Sequence, residues 1–272
     1  MKVHPRLSVS QASTIGWPLD RDLELWSSLG IREVGLLQRK LEATGDLAQA
    51  IALVREAPGL CVDNLAVGDS FELANPAQWE RGRDRLRGCL ETAAALGSRC
   101  VVVTTGGPRG LSWEGAADAL SEAIAPVVDE ARAQGCSLAV ENTNSLRLDI
   151  SFANTLRDTC DLARRLGIGV CMEVNNAWCE RGLDETIRRH VDLLRIVQVN
   201  DFVVGTLQTP DRAVPGDGDI PLRRVLGLLL EAGYGGLFEL EIVGPRIEAE
   251  GYASAVGRGL EHVGALLSDL GA

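Results

Sequence analysis

The chain has 272 residues, 46% hydrophobic and 24% charged, with a formal net charge of −11. That composition excludes disordered, collagenous and fibrous classes, and the negative balance argues against nucleic acid or an anionic membrane as partner, since both bind through a basic face. Only two lysines, Lys2 and Lys40, and three histidines, His4, His190 and His262, are present.

In chain order, short β-branched runs alternate with longer amphipathic ones. Strands are predicted at 7–10, 32–36, 59–67, 100–105, 137–143, 169–174, 196–202 and 237–243, and helices at 76–96, 112–134, 152–166, 183–192 and 222–232 from apolar residues at three and four spacing. Gly30, Gly97, Gly135, Gly167 and Gly233 each follow a helical run, where a left-handed cap is expected. A helix closing in glycine and followed at once by an apolar strand is what a parallel sheet requires. Eight units in 272 residues average about 34 each, a fair length for a strand-helix step. The expected architecture is α/β, a single (β/α)₈ TIM barrel, with residues 1–272 as one domain because no Pro/Ser-rich linker or low-complexity segment divides them. The competing open doubly wound sheet lacks a G-x-G-x-x-G at its first helix.

The seven cysteines, Cys61, Cys89, Cys100, Cys136, Cys160, Cys171 and Cys179, contain no C-x-x-C and are odd in number, so they read as small core hydrophobes and not as a disulfide framework or thiolate zinc site. Residues 1–10 show no charged-then-apolar leader, and no stretch approaches the roughly 20 apolar residues of a membrane span, so a cytoplasmic location is expected.

The C-terminal strand ends form the active face of such a barrel. The fifth strand reads Leu138-Ala139-Val140-Glu141-Asn142, the sixth Val170-Cys171-Met172-Glu173-Val174, the seventh Ile196-Val197-Gln198-Val199-Asn200-Asp201 and the eighth Leu237-Phe238-Glu239-Leu240-Glu241. A carboxylate at the end of an apolar strand is expensive to bury without a compensating positive charge. For any one of them, an arginine partner or a helix cap suffices. For four consecutive strand ends, one divalent cation held by Glu141, Glu173, Gln198 and Glu241 is the more economical reading. Glu239, one layer deeper, is expected to be the buried partner of an arginine and not a ligand, and Lys40 a solvated residue.

These motifs, with Asp211-Arg212-Ala213-Val214-Pro215-Gly216-Asp217-Gly218 and Gly233-Tyr234-Gly235-Gly236, resemble the xylose isomerase-like TIM barrels over essentially the whole length. That superfamily holds sugar-phosphate isomerases and epimerases, inosose and dehydroshikimate dehydratases, and apurinic-site endonucleases. The resemblance implies a Glu, Asp, His, Glu metal set, which falls on Glu141, Glu173, Gln198 and Glu241. The chain departs from it in three places: Glu173 stands where Asp is usual, Asn176 where a substrate-side His is usual, and Gln198 where the metal-binding His is usual. An all-oxygen set favours Mn²⁺ or Mg²⁺ over Zn²⁺, with Co²⁺ also admitted.

The implied reaction is proton abstraction next to a carbonyl on a sugar-like or other small polyhydroxylated substrate, through an enediolate, with Glu141 and Glu241 as base and acid. If a β-hydroxyl leaves instead, the chain is a dehydratase of a cyclic keto acid, a branch that a glutamine on the seventh strand also resembles. A noncatalytic ligand-binding barrel is the third reading. Arg212, Asn176, Trp178, Asp201 and Arg109 are the expected substrate contacts, with Trp113 as a further wall. The lack of histidines in the strand ends disfavours the multi-zinc endonucleases, and the scarcity of lysine disfavours Schiff-base chemistry. A small-molecule substrate, neither nucleic acid nor membrane, and a homodimer of the kind common in such barrels complete the expectation.

Overall fold

The computed structural model describes residues 2–68 and 71–272. Among these, eight parallel strands close into a barrel in chain order: β1 (Leu7–Ser10), β2 (Glu33–Leu37), β3 (Cys61–Ala66), β4 (Cys100–Val103), β5 (Ser137–Glu141), β6 (Gly169–Glu173), β7 (Leu194–Val199) and β8 (Phe238–Leu240), with β8 paired to β1. The single (β/α)₈ barrel expected from the alternation is the architecture observed.

The crossovers are α1 (Leu19–Leu29), α2 (Gln38–Glu42) and α3 (Leu47–Glu56) before β3, then α4 (Trp79–Leu96), α5 (Trp113–Ala133) and α6 (Leu156–Leu166). α7 (Val174–Ala177) and α8 (Leu183–His190) precede β7, α9 (Leu222–Glu231) precedes β8, and α10 (Pro245–Glu250) and α11 (Tyr252–Asp269) complete the ring. Gly30, Gly97 and Gly167 close α1, α4 and α6 in the left-handed conformation, as their positions predict.

Strand alternation divides the residues into two cores. Outward-facing Val9, Val34, Leu65, Val101, Leu138, Val170, Val197 and Phe238 pack under the helices. Inward-facing Cys100, Val102, Ala139, Cys171 and Ile196 form a second, smaller apolar cluster inside the barrel. Cys89, Cys100, Cys160 and Cys171 are buried as expected, whereas Cys61 and Cys179 are exposed.

The helix expected from residue 152 begins at Leu156, because the Phe152 and Thr143 backbone N–H groups bond instead to Thr105 Oγ1 (2.9 Å) and the Ala153 carbonyl (3.0 Å), leaving Thr155 to cap the helix. The later strands end earlier than their apolar runs because their polar ends turn into loops. Asp201, for instance, pairs antiparallel with Ala213 outside the sheet. Lys40 is not solvated: its side chain is 9% exposed and its Nζ donates to Asp22 Oδ2 at 2.7 Å and to the Thr14 carbonyl at 2.8 Å. Among the described residues, no helix is long and apolar enough to cross a membrane.

At the end of β4, Gly106 has φ +90° and packs so tightly that a Cβ there would lie 2.2 Å from the Phe71 carbonyl oxygen. Gly106→Ala should therefore destabilise the protein by about 1–3 kcal/mol, seen as a lower denaturant midpoint at unchanged slope. An unchanged midpoint would mean that the loop holding Phe71 gives way freely.

Candidate active site

Alternation along the strands determines which side chains enter the barrel. On β5 to β8 the inward parity carries Glu141, Glu173, Gln198 and Glu239, and Glu241 keeps it one residue beyond β8, where its N–H still donates to the Val199 carbonyl at 3.0 Å. In register, Glu173 lies beside Gln198, and Gln198 beside Glu239.

Gln198 is the link between layers. Its Nε2 donates downward to Glu239 Oε2 at 3.0 Å and upward to Glu241 Oε2 at 2.7 Å. Ser10 Oγ donates to the same Glu241 oxygen at 3.0 Å. Glu173 Oε1 accepts from the Asn175 N–H at 2.9 Å, capping α7, and from Asn200 Nδ2 at 2.8 Å. Asn142 exchanges two hydrogen bonds with the Glu173 backbone, which holds the ends of β5 and β6 together. Arg212 is buried, with its Nη2 3.6 Å from Glu173 Oε2. That spacing offsets charge without making a hydrogen bond.

The arrangement leaves acceptors open. Glu173 Oε2 and Gln198 Oε1 are buried without a hydrogen-bond partner. The Glu141 carboxylate likewise accepts no hydrogen bond among the described residues. Burial and repulsion by Glu241 and Glu173 raise Glu141 well above the ordinary carboxylate range, against a smaller opposing effect of Arg212. Burial and Glu173 push Glu241 up to about 7. Below them, burial raises Glu239 strongly and Asp63 to about 6.

All-oxygen donors with unsatisfied lone pairs and surplus negative charge suit a hard divalent cation. Even so, among the described residues no three His, Cys, Asp or Glu side chains converge into a cation-binding cluster. Glu241 is bonded to the Gln198 amide, and Glu173 lies beside Gln198 on the neighbouring strand.

The expected substrate contacts are spread more widely. Arg212 stands in the site beside Glu173 and is not paired with Asp201 or Asp217. Asn176 is partly tied down, its Nδ2 donating to the Asn142 carbonyl at 2.9 Å. Trp178, half-buried at the end of α7, packs against the outer core. Trp113 is half-buried edge-on to Phe152, with ring centroids 5.7 Å apart. Asp201 is taken up by its own loop: Oδ1 accepts from the N–H groups of Phe202 (2.9 Å) and Ile220 (3.0 Å), and Oδ2 from that of Gly216 (2.9 Å). Arg109 lies apart from the carboxylates, 56% exposed and 3.6 Å from Glu72.

Ser10, Asn200 and Asn64 belong to the same network and were not expected from sequence. Glu239 is buried as expected, but its partners are the amides of Asn64 (2.7 Å) and Gln198, not an arginine. Gly35 makes room for it, since a Cβ there would sit 1.8 Å from Glu239 Oε1. Inward parity at the end of the first strand was the available signal for Ser10.

A family model described as xylose isomerase-like TIM barrel matches residues 23–262. No curated protein matches the chain by sequence. Among solved structures, protein SMc04130 from Sinorhizobium meliloti 1021 is similar with a TM-score of 0.86 and 26% identity, covering 95% of this chain and 97% of that one. The IolI protein with a bound zinc atom gives 0.81 at 20% identity, covering 97% and 99%. D-psicose 3-epimerase with D-tagatose, from Clostridium cellulolyticum H10, gives 0.73 at 15% identity, covering 97% and 98%.

Proposed function

Since the chain belongs to the xylose isomerase-like TIM barrel family, we propose that it is a divalent-metal-dependent isomerase or epimerase of a small polyhydroxylated carbonyl compound. The observation that carries this reading is the run of inward oxygen donors on four consecutive strands, Glu141, Glu173, Gln198 and Glu241, two of them with buried, unsatisfied oxygens. These four would hold the cation, with Mn²⁺ or Mg²⁺ preferred by an all-oxygen set. Similar folds whose structures contain zinc or a ketose support the same class of chemistry. When bound, the cation supplies a Lewis acid for the substrate carbonyl.

The chain's own residues then account for the proton. One of Glu141 and Glu241 takes the proton from the carbon next to the carbonyl, and the C–H electron pair moves into the enediolate. The other returns a proton, on the opposite face for epimerisation or at the neighbouring carbon for isomerisation. Burial raises the Glu241 carboxyl to about 7 in the cation-free chain, which brings it closer to neutral pH than an ordinary glutamate and suits it to carry a proton in either direction. Ser10 and Gln198 fix the Glu241 oxygen that they share, and Arg212 offsets the negative charge as it moves.

The test is incubation of the Mn²⁺-supplemented protein with ketoses and cyclic keto acids in D₂O. Deuterium incorporation without loss of water supports the isomerase. A new conjugated ultraviolet band would instead assign dehydration to the same site. Neither signal with any substrate, together with no cation-induced rise in melting temperature, would leave a ligand-binding barrel.

A further inference from the structure

A side-chain amide has two unlike ends, an oxygen that accepts and a nitrogen that donates. Only the oxygen can serve a cation, so the turn of the Gln198 amide decides whether β7 offers a ligand or a repelling N–H₂ group. We propose that Glu239, one layer below the site, is the positioning residue that fixes this turn: it takes the nitrogen end of Gln198 and leaves the oxygen end for the cation. The proposal rests on the cation reading of the carboxylate site, and it gives Glu239 no contact with the cation itself.

Three observations carry it. First, Gln198 is anchored by one end only. Its Nε2 donates to Glu239 Oε2 at 3.0 Å and to Glu241 Oε2 at 2.7 Å, which uses both protons, whereas Oε1 is buried with no hydrogen-bond partner among the described residues. Turned over, the amide would lose both bonds and set its oxygen against two carboxylate oxygens. Glu241 is a poor anchor on its own, because a cation draws on the same carboxylate. Glu239 is the anchor that stands outside the ligand set.

Second, Glu239 is itself held. It is 1% exposed, and its Oε1 accepts from Asn64 Nδ2 at 2.7 Å. The same nitrogen donates to Asp63 Oδ1 at 2.9 Å, so the Asn64 amide cannot turn over either without setting its oxygen against two carboxylates. Gly35 closes the remaining side, since a Cβ there would lie 1.8 Å from Glu239 Oε1. Donor and acceptor directions are thus fixed in sequence from Asp63 through Asn64 and Glu239 to Gln198.

Third, the contact is built into the sheet and not into a loop. Gln198 and Glu239 are partners in the β7–β8 register. Inward parity from β8 then supplies two carboxylates to one amide, Glu239 below it and Glu241 above.

A double-mutant cycle on the full-length chain tests the role, with Mn²⁺ affinity measured by calorimetry and by the EPR signal of free Mn²⁺. In Glu239→Gln the new amide's oxygen goes to Asn64 and its N–H₂ faces Gln198, which turns the Gln198 oxygen away from the cation. Mn²⁺ affinity should fall by about 10- to 100-fold, the usual cost of removing a partner that orients a ligand. Gln198→Glu has oxygen at both ends and needs no orientation. In that background Glu239→Gln also removes a repelling neighbour, so affinity should hold or rise. A cooperative melt in EDTA establishes that each variant is folded. In the cation-free protein, the Gln198 side-chain N–H₂ resonances, identified by their absence in Gln198→Met, should exchange slowly with solvent and should shift in Glu239→Gln. These resonances decide the role even if Gln198→Glu fails to fold. Unshifted resonances, an equal loss of affinity in both backgrounds, or no loss in the Gln198 chain overturns the positioning role and leaves the cation site in place. No Mn²⁺ binding by the unaltered chain overturns the cation site and this role with it.

Discussion

Glu241→Gln is expected to lower the rate of substrate deuterium exchange by about 10²–10⁴-fold, the usual contribution of one positioned acid-base group, with KM changed far less. The substitution is nearly isosteric, and the amide oxygen can still accept from Ser10 Oγ and Gln198 Nε2, which are 3.0 Å and 2.7 Å from Glu241 Oε2. Measured at a Mn²⁺ concentration that saturates the variant, a loss of turnover would therefore report the missing proton transfer and not a collapsed pocket or an empty cation site. Exchange followed by NMR at saturating substrate is the measurement, and full turnover in the variant would remove Glu241 from the mechanism.

The same pair sets the sign of the pH dependence. With Glu241 as base, its working form is the carboxylate, so the rate rises with pH through the Glu241 pKa of the cation-loaded protein, which lies below the cation-free value of about 7. With Glu141 as acid, its working form is protonated, and its raised pKa places a falling limb on the alkaline side. The two titrate together, so the limbs of the resulting bell belong to the pair. A bound cation favours both carboxylates and moves both limbs toward lower pH.

The barrel was legible in the sequence because its signal is repeated: a helix, a closing glycine and an apolar strand recur with the same polarity, and one misplaced boundary does not alter the count. The carboxylate site was legible for a related reason, since parity along β5 to β8 sends Glu141, Glu173 and Gln198 inward whatever the loops do. Contacts that depend on tertiary approach were not. Nothing local to Lys40 announces that Asp22 waits 18 positions earlier, and an exposed reading was the better local inference. Asp201 stands at a strand end like the glutamates, yet three backbone N–H groups from a loop that folds back over it claim its oxygens. Glu239 looked like an arginine's partner because burying a carboxylate usually requires one. Two amides and the space left by Gly35 satisfy it instead, and the raised pKa of Glu239 follows from burial without a countercharge.

That burial makes a second large prediction. Without a divalent cation, the folded protein should lose stability as the pH rises from about 4.5 to about 7. Glu241 moves from an ordinary value of 4.5 to about 7 on folding, so within this window the folded chain binds more protons than the unfolded one, and the slope of unfolding free energy with pH is negative. At about 1.4 kcal/mol per unit, Glu241 alone accounts for about 3 kcal/mol. Glu141, Glu239 and Asp63 are raised in the same direction, and because they repel one another their effects do not simply add. His190, lowered by burial, works in the opposite sense below its ordinary value of 6.5, and as a single group it only partly offsets the carboxylates. The surface acids held down by arginines, such as Asp217 and Glu250, act only at lower pH. A cation at the carboxylate arms stabilises their ionised forms, so the rise in melting temperature with Mn²⁺ should be large at pH 7.5 and small at pH 5. Glu241→Gln should flatten the pH slope of the cation-free protein, and it should melt higher than the unaltered chain at pH 7.5. Stability that stays level or rises across this window, or a Mn²⁺ response of equal size at both pH values, would show that the buried carboxylates do not carry the charge that the proposed chemistry needs.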